Sequence, residues 1–123
     1  MAKAVEDSLI PRIIHFAGKE VDYLPILSGP PESVSLRSGL VLLTSGKSVG
    51  KHSTENFEEL IIVLEGKGQM QITGQNPLEI VSGVAVYCPP ETEHNVINTG
   101  SEPLRYLYIV AEVKNSKPDK HNK

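Results

Sequence analysis

The chain has 123 residues, 39% of them hydrophobic, and a single cysteine, Cys88; this is enough length for one domain with its own core, and it excludes an intramolecular disulfide. The longest apolar run, residues 60–64, is far below the roughly 20 residues that cross a bilayer, and no basic segment followed by an apolar one marks a secretory signal, so a cytoplasmic protein without a membrane partner is expected. The formal charge is −3, but residues 114–123, KNSKPDKHNK, carry four lysines against one aspartate and leave the body at −6, a balance that argues against a nucleic-acid partner.

Residues 1–32 contain Pro11, Pro25, Pro30 and Pro31, with short apolar pieces at 13–16 and 21–27 between them. Prolines at this density forbid a long helix. The reading is an N-terminal arm with one or two short strands, laid against a sheet edge or a neighbouring subunit, where an edge needs cover. Residues 34–44, VSLRSGLVLLT, read as a strand in which Gly39 marks a bulge or bend. Strand vocabulary then recurs at 51–54, 60–64, 68–73, 78–81, 84–88, 95–98 and 104–110, separated by turn residues at 65–68, 74–77, 82–83, 89–90 and 99–101. Gly66-Lys67-Gly68 reads as a hairpin turn, since no helix follows it to make a nucleotide loop. Many short strands at even spacing without helical periodicity predict an antiparallel sandwich or barrel over residues 33–113. The basic segment 114–123 has the composition of a disordered tail.

Two segments carry the chemistry. Within 46–66, GKSVGKHSTENFEELIIVLEG, His52 and Thr54 stand two apart and so look to one side of a strand, while Ser53 looks away. After a loop, Glu59, Ile61 and Val63 share the inner face of the next strand and Glu58 takes the outer one, which places a carboxylate at one end of an apolar row. A barrel that is apolar inside and polar at one mouth is the usual form of a small-molecule site. His94 lies in a second turn-rich segment, 83–98, and imidazole with carboxylate is the ligand chemistry of a divalent metal. The two segments are expected to face each other and share one site.

The spacings resemble the two motifs of the cupins. Gly46, His52, Thr54, Glu59 and Gly66 stand at the intervals of the first motif, and Gly83, Pro89, Glu91, His94 and Asn98 at those of the second. Thr54 replaces a histidine and Glu91 a glycine. The resemblance implies a small single-domain cupin: an all-β, double-stranded β-helix (jelly-roll) barrel that pairs as a homodimer. It further implies that His52, Glu59 and His94 hold a divalent transition metal such as zinc, iron, manganese or nickel. Three protein ligands suffice for catalytic zinc or a non-haem iron triad, with positions left open. Thr54 is then a substrate-binding residue, its hydroxyl facing the ligand.

Elsewhere the reading is structural. His15 belongs to the arm and His121 to the tail, Cys88 packs, Tyr87, Tyr106 and Tyr108 are core or interface residues, and Glu91 and Glu93 are solvated carboxylates flanking the mouth. Two functions follow: a metal-dependent enzyme of dioxygenase, isomerase, decarboxylase or lyase type acting on a small polar molecule, or a non-catalytic module that binds or senses a small ligand. The sequence names no separate general base.

Overall fold

The computed structural model describes residues 9–18 and 21–114. Among them are nine strands and no helix: β1 (Tyr23–Ser28), β2 (Arg37–Leu43), β3 (His52–Ser53), β4 (Phe57–Glu65), β5 (Lys67–Ile72), β6 (Leu78–Val81), β7 (Ala85–Cys88), β8 (Glu93–Ile97) and β9 (Leu104–Glu112). The strands form a five-stranded sheet, β1-β2-β9-β4-β7, and a four-stranded sheet, β3-β8-β5-β6, and every pairing is antiparallel. The architecture is the all-β, double-stranded β-helix, or jelly-roll barrel. Because the described chain holds no helix, none is long and apolar enough to cross a membrane.

Alternation along each strand builds the core. Val41 and Leu43 on β2, Ile61 and Val63 on β4, and Leu104 and Tyr106 on β9 point inward from the larger sheet, and Met70, Ile80 and Val96 meet them from the smaller one. Residues 13–16 form no strand, whereas the expected piece at 21–27 becomes β1, the edge strand hydrogen-bonded to β2. Residues 1–8 and 115–123, with His121 and most of the basic tail, lie outside the described residues.

Two turn assignments are corrected. Gly66 does not close a hairpin, for β4 pairs with β9 and β7 while β5 pairs with β6 and β8. Instead Gly66, at φ 86°, carries the chain from one sheet to the other so close to β9 that a Cβ there would lie 2.2 Å from the Pro103 carbonyl oxygen. Gly39 is regularly paired with Pro25 and Tyr108; the bulge falls in β1, between Pro25 and Leu27. A Cβ on Gly39 would come within 2.7 Å of the Tyr23 ring and 2.9 Å of Tyr108, so the glycine makes room for two phenols.

The outer faces of the two sheets differ. On the smaller sheet, Gln69 pairs with Glu79 and Ile97, and Gln71 with Asn95, a polar surface suited to water. On the larger sheet, one cross-strand row reads Leu24, Leu40, Leu107, Ile62 and Ala85, and the next joins Ile109, Leu60 and Tyr87.

Candidate metal centre

His52 and His94 are direct cross-strand partners on β3 and β8, with ring centroids 4.5 Å apart. Glu59 comes from the opposite sheet, where β4 holds it between Val110 of β9 and Cys88 of β7. Strand pairing joins His52 and His94, 42 positions apart in sequence, closing the two sheets over each other adds Glu59, and ligating atoms of all three side chains lie within 4.8 Å of one another. His94 and Glu59 are buried and His52 is exposed at the mouth.

Both imidazoles are oriented from behind. His52 Nδ1 lies 2.8 Å from the Gly50 carbonyl oxygen and His94 Nδ1 3.1 Å from that of Thr92. A carbonyl only accepts, so each Nδ1 carries a proton and donates it, and in the neutral ring Nε2 is the nitrogen that keeps a lone pair. This is the arrangement in which a ligating histidine is fixed by its other nitrogen. His94 Nε2 is buried without a hydrogen-bond partner, yet it lies 3.0 Å from Glu59 Oε1, a close approach that is not aligned for hydrogen bonding. Two electron pairs facing each other in a buried site require a cation between them, either a proton or a metal ion. Glu59 accordingly holds the His94 imidazole above the ordinary histidine range, against burial, which pushes it down. The donor set of two nitrogens and one carboxylate oxygen fits a divalent transition metal.

Thr54 borders the site but faces it with a committed hydroxyl. Its Oγ1 donates to the Pro89 carbonyl oxygen at 2.8 Å and accepts the Thr92 N–H at 2.9 Å, which clasps the end of β3 to the turn that leads into His94. Ser53 also lines the cavity, because β3 ends there and strict alternation ends with it. Asn98 donates to the carbonyls of Leu43 and Glu102 and accepts the Gly100 N–H, so this motif residue secures loops and not the site. Glu91 adopts φ 56°, so the turn keeps the left-handed conformation that a glycine would take without strain. Cys88 is buried against Met70, its thiol pushed up to about 11 by burial and then by Glu59.

In front of the three ligand residues opens a cavity of about 550 Å³. Val41, Ile61, Val96 and Val110 give it apolar walls, Tyr106 and Tyr108 line it from β9, and Tyr23, Arg37 and Phe57 also border it. Burial first, and nearby Glu59, push both β9 phenols well above the usual tyrosine range, with Tyr23 acting on Tyr108 before Glu59 does. Sequence reasoning passed over Tyr23, Arg37 and Phe57. The signal for Arg37 was its parity, since Arg37, Gly39, Val41 and Leu43 alternate on the inner face of β2.

A family model described as Cupin domain matches residues 39–110. An uncharacterized protein of Methanocaldococcus jannaschii is 36% identical over 73 residues, 59% of this chain and 56% of that protein. A Pyrococcus abyssi protein named glucose-6-phosphate isomerase is 36% identical over 64 residues, 47% of this chain and 33% of that one. The chain thus spans about half or less of the length of these curated relatives. Among solved structures, an RmlC-like cupin family protein from Methanocaldococcus jannaschii with a double-stranded β-helix fold aligns with a TM-score of 0.69 at 19% identity, covering 94% of this chain and 99% of that one. That likeness is one of fold. With the family match extending over more than half of its length, the chain belongs to the cupins.

Proposed function

We propose that His52, Glu59 and His94 bind one divalent transition metal (zinc, iron, manganese or nickel) on the wall of a ligand cavity, and that the protein is a metal-dependent enzyme acting on a small polar molecule. The observation that carries this reading is His94 Nε2, buried, without a hydrogen-bond partner and 3.0 Å from a Glu59 oxygen. A bound ion supplies Lewis acidity toward an oxygen of the ligand. The chain supplies the rest: Glu59 balances part of the charge, Gly50 and Thr92 aim the imidazoles, and the valine and isoleucine walls keep water from the ligand's body. Thr54 holds the His94 turn in place and offers the ligand its remaining acceptor capacity. An isomerase, among the reaction types open to this scaffold, draws support from the name of the Pyrococcus relative.

A second reading, a non-catalytic binding or sensing module, is favoured by one feature of the cavity wall. Apart from the three ligand residues, its titratable side chains among the described residues are Arg37 and tyrosines, with Tyr106 and Tyr108 pushed up, so none of them offers a further carboxylate or imidazole as a general base. Metal analysis of untagged protein tests the shared premise. Near-stoichiometric metal lost in Glu59→Ala and His94→Ala but kept in His15→Ala supports the site, and unchanged metal in the first two sinks it. Turnover of a bound small molecule then separates enzyme from sensor.

We further propose a cytoplasmic homodimer joined through the outer face of the larger sheet. Leu60 and Tyr87 are exposed on it, whereas Leu40 is already buried, so the free apolar surface lies on the β4 and β7 side. Ile10 and Ile13 of the arm are exposed and would add to it. Sedimentation should find a dimer that Leu60→Glu with Leu107→Glu converts to monomer; a native monomer at micromolar concentration would refute the assignment.

A further inference from the structure

Arg37 stands at the open end of the cavity, and its guanidinium is held in place without being used up. Its Cζ lies 5.8 Å from the centroid of the Phe57 ring, a cation–π contact. On another side it packs against Gly29, where an added Cβ would come within 3.1 Å of Cζ. Of its five N–H donors, one makes a 3.3 Å bond to the Ser28 carbonyl oxygen, and no carboxylate among the described residues pairs with it. Among the described residues, Arg37 brings the arginine or lysine charge to this cavity wall.

Register fixes where it stands relative to the metal centre. Arg37 pairs with Val110, and Val110 pairs with Glu59, so the two charged residues occupy one cross-strand row, two strand spacings or about 10 Å apart. Apolar wall lies between them. Beside Arg37, Tyr23 and Tyr108 share one hydrogen bond between their hydroxyls, which leaves one phenolic proton of the pair free to donate.

We propose that Arg37 anchors the carboxylate of a small organic acid whose apolar or aromatic body lies over Val110 and whose far end points to the His52, Glu59 and His94 cluster. One planar guanidinium with a neighbouring phenol matches a carboxylate, which it binds through two parallel hydrogen bonds. A carboxylate carries the single negative charge that one guanidinium balances, whereas a phosphate dianion carries two. The assignment rests on the cavity being the ligand site, as proposed above, but it does not require the ion.

The test is a titration of the full chain, metal-free and zinc-loaded, with benzoate, benzamide and phenyl phosphate, followed by NMR shifts of the valine methyls. Benzoate should move the Val110 signals in both forms, bind at least tenfold more weakly to Arg37→Gln and severalfold more weakly to Arg37→Lys, while benzamide binds weakly and equally to all three. Thermal melting shows that each variant is folded, and Arg37→Lys serves if Arg37→Gln is not. Benzoate affinity that is independent of Arg37, tighter binding of phenyl phosphate, or no shift of the cavity signals by benzoate would each overturn the proposal. Zinc content of the same samples reads the metal centre separately: protein that takes up no zinc yet binds benzoate through Arg37 loses the metal assignment and keeps this one.

Discussion

The two ends of the barrel interior are built from the same pair of sheets and do opposite work. At one end Val63, Met70, Ile80 and Leu104 are sealed, each 2% exposed or less. Backbones close in there because Gly66 and Gly68 carry no side chain; a Cβ on Gly68 would lie 2.3 Å from the Ile97 carbonyl oxygen. At the other end β3 is only two residues long, the sheets stay apart, and the gap is the cavity bordered by His52, Glu59 and His94. Apolar burial at the sealed end stabilises the fold, and the open end carries buried polar groups that cost stability unless paired.

Substitutions should separate these roles. The largest stability effect is expected from Leu104→Ala, about 2–5 kcal/mol in denaturant unfolding, with metal per chain unchanged in the folded protein. Glu59→Ala and His94→Ala should do the reverse, lowering zinc affinity by about 100-fold or more, a loss of roughly 3 kcal/mol of binding, while the chain stays folded. A Leu104 variant that lost its metal while still folded would show the two ends to be coupled.

Thr54→Val sharpens the comparison, because it breaks the clasp between the strand of one histidine and the turn before the other. It should cost about 1–3 kcal/mol, leaving the Thr92 N–H without its acceptor, and weaken zinc binding without removing a ligand. The thiol of Cys88 reports on burial beside the site. The unfolded chain ionises this group near 9 and the folded one near 11, so its contribution to stability is whole below about pH 9 and is lost as pH rises toward 11. Cys88→Ala should flatten that part of the pH–stability curve. The smallest effect is expected from Glu91→Gly, a gain of up to about 1 kcal/mol as left-handed strain is relieved, partly offset by the entropy of glycine.

Much of the site was legible because its signals are local. Histidine and glutamate at strand parity placed His52 and Glu59, and the inward row of Glu59, Ile61 and Val63 is the one observed. Turn chemistry was less legible. Glycine at position 66 announces a turn, but a hairpin and a crossing between sheets demand the same backbone freedom, and only strand pairing tells them apart. Gly39 misled for a related reason: an absent side chain reads as backbone flexibility, while here it is space for Tyr23 and Tyr108, residues far away along the chain.

By itself, the sequence determined the all-β class and the apolar inner rows, since alternation acts over a few residues, and its motif spacings, through their resemblance to the cupins, named the three metal-ligand candidates. Tertiary structure alone decided that Thr54 is a clasp, that His94 Nε2 faces Glu59 unpartnered, and that Arg37 shares a row with Glu59 at the cavity. Each of these depends on the register between strands distant in sequence, which is set by how two whole sheets close over a common core.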